Sequence, residues 1–160
     1  NNYGNLCQRV FSFIKKNCSN KIPNAKKFNA VDNKLLNQLK NNVPNLIKLM
    51  NNQNLNEFIK IVVSYSFDAN KYFNDSEPWS VKKTDPERMN VILFTICEQI
   101  KNISILLNSI IPIATEKVLY TMNIEKEKIS IDQINNLESF NHNKELKELD
   151  ILFNKIENDN

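Results

Sequence analysis

An all-α fold, an antiparallel bundle of about five to six helices, is what this sequence predicts, and three observations predict it. The 160 residues include a single Gly, so the left-handed corners that tight hairpins need are scarce, although Asn can stand in at some of them. Apolar residues recur at three- and four-residue spacing along most of the chain, the period of a helix buried on one face. Pro78, Pro86 and Pro112 fall at the borders of these segments, where a first helical turn tolerates a residue without an amide hydrogen. A chain of this length suits one domain over residues 1–160, since about 150 residues bury roughly two-thirds of their unfolded surface.

The elements follow in order. Residues 1–17 form a first helix on Tyr3, Leu6, Cys7, Val10, Phe11, Phe13 and Ile14, and residues 18–30 are a polar connection containing Pro23. A second helix over about 32–50 uses Leu35, Leu36, Leu39, Val43, Leu46, Ile47 and Met50. Pro44 is expected to kink or interrupt it, because it removes a backbone donor and crowds the previous turn. Leu55, Phe58, Ile59, Val62, Val63, Ser66, Ala69 and Phe73 predict a third helix over about 55–74, ending before Pro78. The run Thr84-Asp85-Pro86-Glu87 reads as a helix start with Thr84 as N-cap and Glu87 in the capping-box position. From there Val91, Ile92, Phe94, Thr95, Ile100, Ile103, Leu106 and Leu107 carry the fourth helix to about residue 109. Pro112 opens a fifth, to about 122, and a shorter helix follows Ser130 or Ile131. The charged, weakly amphipathic segment from residue 145 is expected to be a tail that packs back on the bundle, with Lys144-Glu145-Leu146-Lys147-Glu148 placed on a solvated helix face.

Composition limits the chemistry. One histidine, His142, sits between asparagines in an expected loop, and one glycine cannot build a phosphate-cradling loop, so no catalytic residue is expected in this chain. Cys7, Cys18 and Cys97 form no paired motif, which argues against a disulfide framework and against a metal site and fits a reducing cytosol. No uninterrupted apolar run reaches about 18 residues, so a soluble, cytoplasmic chain with no membrane partner is expected. The sequence begins with Asn1 inside a helical pattern and reads as a piece of a longer protein. The surplus of Asn, Lys and Ile reads as drift in an AT-rich genome, which makes most single asparagines uninformative.

Charge is unevenly spread. Residues 1–60 carry ten Lys or Arg against two Asp or Glu, a balance of +8, while residues 61–120 stand at −1 and residues 121–160 at −4. A first third of this density is either a phosphate-binding surface or a solvated lysine face. On the first helix, Asn1, Asn5 and Arg9 lie at i, i+4 and i+8, a row about 12 Å long on one face. Their planar donor and acceptor groups suit base edges, which in RNA are exposed mainly in unpaired loops. Arg9 is the more telling, because the chain has one other arginine, Arg88, against nineteen lysines. The lone tryptophan, Trp79, follows Pro78 at a helix exit in polar surroundings; it reads either as a core or lid residue or as a face on which a base can stack.

Asn1-x3-Asn5-Leu6-x2-Arg9, followed by Ala69-Asn70-x-Tyr72-x5-Pro78-Trp79-x3-Lys83, resembles the anticodon-binding helical domain of the methionyl-tRNA synthetases, class I aminoacyl-tRNA synthetases. The resemblance continues through Leu107-x3-Ile111-Pro112-x-Ala114-x2-Lys117, similar to the family's proline-started helix, and reaches Leu152-Phe153-x-Lys155-Ile156-Glu157, where the family often has Pro and Arg in place of Asn154 and Lys155. It implies that Trp79 stacks on the first anticodon base, a cytosine, with Pro78 shaping the turn. It also implies that Asn5 and Arg9 contact anticodon bases and backbone with Asn1 beside them, that Lys83 meets a phosphate, and that Asn70 and Tyr72 are structural supports, with Tyr72 packing under the Trp turn.

The same resemblance implies a parent ligase that joins methionine to its tRNA with ATP and Mg, with zinc possible in its catalytic half. This chain would hold no cofactor of its own. Its partners would be the methionine tRNAs, initiator and elongator, read through their CAU anticodon, and a monomer is the default expectation. The bundle of a synthetase for another amino acid, or a helical protein-interaction module with an incidental basic face, are the alternatives.

Overall fold

Residues 2–150 are described in a computed structural model of the chain. They form α1 (Asn2–Asn17), α2 (Ala30–Asn51), α3 (Leu55–Ser76), the single turn α4 (Pro78–Val81), α5 (Pro86–Leu107) and α6 (Pro112–Thr121), then two 3-10 turns at Lys126–Lys128 and Ile131–Gln133. No strand occurs among the described residues. The all-α expectation holds.

α5 is the axis of the bundle. Every residue from 91 to 107 is buried, and the helix packs against α1, α2, α3, α4 and α6. Its 22 residues are long and apolar enough to cross a membrane by composition, yet 94% of the apolar window is buried inside the protein. It is a core helix enclosed by its neighbours. The Tyr3 hydroxyl meets Ser104 Oγ at 2.5 Å, which sets the start of α1 beside the last turns of α5.

Being buried all round, α5 must also satisfy its polar residues, and the segment after α6 supplies the partners. Asn102 Nδ2 donates to Asn135 Oδ1 at 2.8 Å and its own Oδ1 accepts from the Asn135 amide at 3.2 Å. Lys101 Nζ donates to the Asn136 carbonyl at 3.0 Å and to Ser139 Oγ at 2.9 Å, and it pairs with the buried Glu98 carboxylate. His142 stacks on Phe94 with ring centroids 5.6 Å apart, and its Nδ1 lies 2.8 Å from the Ile22 carbonyl. The irregular C-terminal stretch is therefore a covering layer over α5.

Several boundaries differ from the sequence expectation, each for a local reason. α2 begins earlier, because Asn29 caps it reciprocally: Asn29 Oδ1 accepts from the Asp32 amide at 3.0 Å and Asp32 Oδ2 from the Asn29 amide at 2.9 Å. Pro44 lies inside α2 without interrupting it. It is exposed, as is Lys40, so the carbonyl it leaves unpaired can bond to water while buried Val43 and Leu46 hold the helix to the core. The N-cap of α5 is Asp85 rather than Thr84, its side chain accepting from the Arg88 amide at 3.1 Å. Pro86 takes the first helical position, which moves the register by one residue and leaves no capping box for Glu87.

The expected helix face at residues 144–148 is absent. The Leu146 amide donates to the Asn20 carbonyl at 2.7 Å and the Lys147 amide to the Thr121 carbonyl at 3.0 Å, so these donors serve neighbouring elements instead of a helical ladder. Leu146 is buried. The tail motif around Leu152 and Phe153 lies outside the described residues.

Candidate nucleic-acid interface

The corner between α3 and α5 places Trp79. α3 stops at Glu77, whose φ of 46° and ψ of 58° are left-handed, a conformation that costs a non-glycine residue roughly 1–2 kcal/mol. Glu77 is at once the last cap of α3 and the first cap of α4. Pro78 then sits at the first position of α4, buried, with its fixed φ suited to a helix start. The Glu77 carbonyl accepts from the Ser80 and Val81 amides at 2.9 and 3.0 Å, and the Val81 carbonyl accepts from the Asp85 amide at 2.7 Å. Lys82 Nζ donates to Asn17 Oδ1 at 2.6 Å, tying the corner to the end of α1.

Trp79 projects from this turn with 41% of its surface exposed. Its ring meets Phe73 edge-on, centroids 5.7 Å apart at 74°, and Phe73 in turn meets Phe13 edge-on at 6.2 Å. Phe73 is buried. It is therefore Phe73, and not Tyr72, that packs beneath the tryptophan turn. The indole is braced on one side by a ring anchored in the core and remains open to solvent on another, which separates it from an ordinary core tryptophan.

Arg9 reaches the same place from α1. Its guanidinium carbon lies 5.1 Å from the Phe73 ring centroid, Nη1 donates to Asn70 Oδ1 at 3.1 Å and Nη2 to Asn74 Oδ1 at 2.5 Å. Asn70 is oriented in turn by donating Nδ2 to the Asn2 and Ser66 carbonyls at 3.3 and 3.2 Å, and to Asn2 Oδ1. A guanidinium has five N–H donors, so two bonds leave donors for a ligand. Asn5 is exposed one turn before Arg9, and Lys83 is exposed just after α4. The structure thus brings Arg9 and Trp79 to one ring, Phe73, with Pro78 at the start of the Trp79 turn; Asn5 stands one turn before Arg9 on α1 and Lys83 just past α4, and Asn1 lies outside the described residues.

Tyr72 has a different task. Its hydroxyl donates to Asp32 Oδ1 at 2.5 Å, and Arg88 donates to both Asp32 oxygens, at 2.6 and 2.9 Å. Asp32 is fully buried. Burial pushes its carboxyl up, but the bonds from Arg88 and then from Tyr72 outweigh this and hold it below the usual carboxylate range. One carboxylate thereby joins the start of α2, the last turns of α3 and the start of α5, the frame from which α4 hangs.

Sequence reasoning missed Phe73 and Asn74 as the seat of Arg9. The signal was present: Asn70 and Asn74 stand at i and i+4 on one helix face. It was lost in a chain where asparagine is common.

Comparison with known proteins identifies the family. The family model described as the anticodon binding domain of methionyl tRNA ligase matches residues 22–160. A methionine–tRNA ligase of Brucella suis is 34% identical over 128 residues, covering 80% of this chain and 25% of that protein. A probable cytoplasmic methionine–tRNA ligase of Dictyostelium discoideum is 33% identical over 132 residues, covering 81% of this chain and 18% of that protein. The methionyl-tRNA synthetase of Mycobacterium tuberculosis in its free state superposes with a TM-score of 0.87 over 96% of this chain and 32% of its own, at 23% identity, a likeness of fold. The chain spans about a quarter of the length of the relatives it matches. Matched by the family model over residues 22–160, the chain belongs to the anticodon-binding domain family of the methionyl-tRNA ligases.

Proposed function

We propose that this chain reads the CAU anticodon of methionine tRNAs, initiator and elongator, within an ATP-dependent methionine–tRNA ligase. The observation that carries the reading is Trp79, braced edge-on by Phe73 and open to solvent, beside a guanidinium with unused donors. In this reading the indole stacks on the first anticodon base, a contact worth about 1–3 kcal/mol. Arg9 and Asn5, with Asn1, face the following bases and their backbone, and Lys83 meets a phosphate. The basic first third of the chain attracts the RNA from a distance.

The 160 residues act as one unit, with the stretch from residue 145 packing back toward α6 and the connection after α1, as the bonds of Leu146 and Lys147 support. The protein works in the cytoplasm as a monomer. In this reading ATP, Mg and zinc belong to the catalytic half of the ligase. The test is whether the chain binds a CAU stem-loop more tightly than one altered at the first anticodon base; equal binding would refute the reading.

A further inference from the structure

Among the described phenylalanines, Phe67 alone is exposed, with 61% of its surface in water. It sits on α3, where Phe67, Asn70 and Asn74 lie at i, i+3 and i+7, a stripe about 10 Å long along the helix axis. Asn70 and Asn74 are the two side chains that hold Arg9. Phe67 therefore flanks the α1–α3 seam one turn before the Arg9 seat, on the flank that leads to Trp79. Nothing in the packing calls for an aromatic ring there, because the inward faces of α3 are already filled by Phe58, Val62, Tyr65, Ala69, Tyr72 and Phe73.

The surroundings favour nucleic acid. Lys71, exposed and ion-paired with Asp75 at 2.6 Å, stands one turn after Phe67, and the exposed Lys60 lies two turns before it on the same side of the helix. Across the seam, α1 (Asn2–Asn17) carries Arg9, Lys15 and Lys16 and no Asp or Glu. An exposed ring on the helix that leads to a second exposed ring, with the basic α1 alongside, offers what single-stranded RNA uses: flat faces for bases and positive charge for phosphates.

We propose that Phe67 is a second stacking platform, taking an unpaired base of the same RNA strand whose first anticodon base stacks on Trp79. The inference rests on the anticodon reading above. At about 3.4 Å per stacked nucleotide, the rise from Phe67 to the end of α3 corresponds to roughly three to four nucleotides. The strand then runs along the α1–α3 seam, with the Arg9 guanidinium and its asparagines between the two rings.

The test measures dissociation constants of a CAU stem-loop for the 160-residue chain and for Phe67→Ala, Phe67→Leu, Phe67→Trp and Trp79→Ala, with circular dichroism confirming that each variant is folded. The proposal expects Phe67→Ala and Phe67→Leu each to weaken binding at least about fivefold, and Phe67→Trp to keep it. Wild-type affinity in Phe67→Ala together with weakened Trp79→Ala overturns the Phe67 role and leaves the anticodon reading intact. Wild-type affinity in Phe67→Leu shows apolar contact without stacking and overturns it too. Unchanged affinity in both alanine variants, or no binding of the stem-loop, refutes both.

Discussion

Arg88→Met tests the frame that positions the corner. Asp32 is fully buried and accepts four hydrogen bonds, from Tyr72, from the Asn29 amide and twice from Arg88, while the Arg88 side chain is 24% exposed. Removing the arginine leaves a buried carboxylate with half its partners, a change that costs about 3–5 kcal/mol when one side of a buried pair is deleted. With Arg88 partly in water, we place the expected loss near 3 kcal/mol, against a total stability of about 5–15 kcal/mol. Urea unfolding followed by helical circular dichroism and Trp79 fluorescence measures it. The pH dependence supplies an independent reading. A depressed carboxyl contributes stability that is complete above its unfolded value of about 4 and is lost as pH falls through its lower folded value, so the acid limb of the stability curve should shrink in Arg88→Met. A loss below about 1 kcal/mol with an unchanged acid limb would refute the assignment of Asp32 as the joint between α2, α3 and α5.

Trp79→Ala should weaken stem-loop binding by about 1–3 kcal/mol, roughly 5- to 150-fold, and cost about 0.5–1.5 kcal/mol of fold stability from the lost edge contact with Phe73; an unchanged dissociation constant would remove the stacking role. Glu98→Gln probes the buried pair on α5. Burial pushes the Glu98 carboxyl up to about 7 against the pull of Lys101, so the folded state holds this proton more tightly than the unfolded chain, and stability falls as pH rises from about 4.3 through about 7. The glutamine variant should lose that decline when urea midpoints are compared across the window; an identical decline would place its origin elsewhere.

The sequence made the helices legible because α1, α2 and α3 each bury one face with a clean period and α5 opens on a proline turn, and α1 and α3 match their expected spans within about two residues. Where reading failed, a local choice depended on a distant partner. Nothing near residue 29 announces that Asn29 and Asp32 will cap each other, or that Asp32 will be enclosed by Tyr72 and Arg88 from two other helices. The Lys144–Glu148 pattern looked helical, yet Asn20 and Thr121, far away in sequence, offered its amides better acceptors. At the site, Trp79 and Arg9 stood out by rarity of residue type. Their seat did not, because Phe73 looks like any core phenylalanine and Asn74 like any asparagine in this composition. Only the fold brings the ring, the amides and the guanidinium together.

The central claim is recognition of the anticodon by the Trp79 face, and a paired titration tests it most directly. Stem-loops identical except for CAU or UAU in the loop are added to the chain at fixed, moderate salt while Trp79 fluorescence is followed, since phosphate contacts make affinity fall steeply as salt rises. The account predicts tighter binding of the CAU loop by about 1–3 kcal/mol, the usual discrimination of a well-paired base contact, with the fluorescence change tracking occupancy. Equal affinity for the two loops would contradict it.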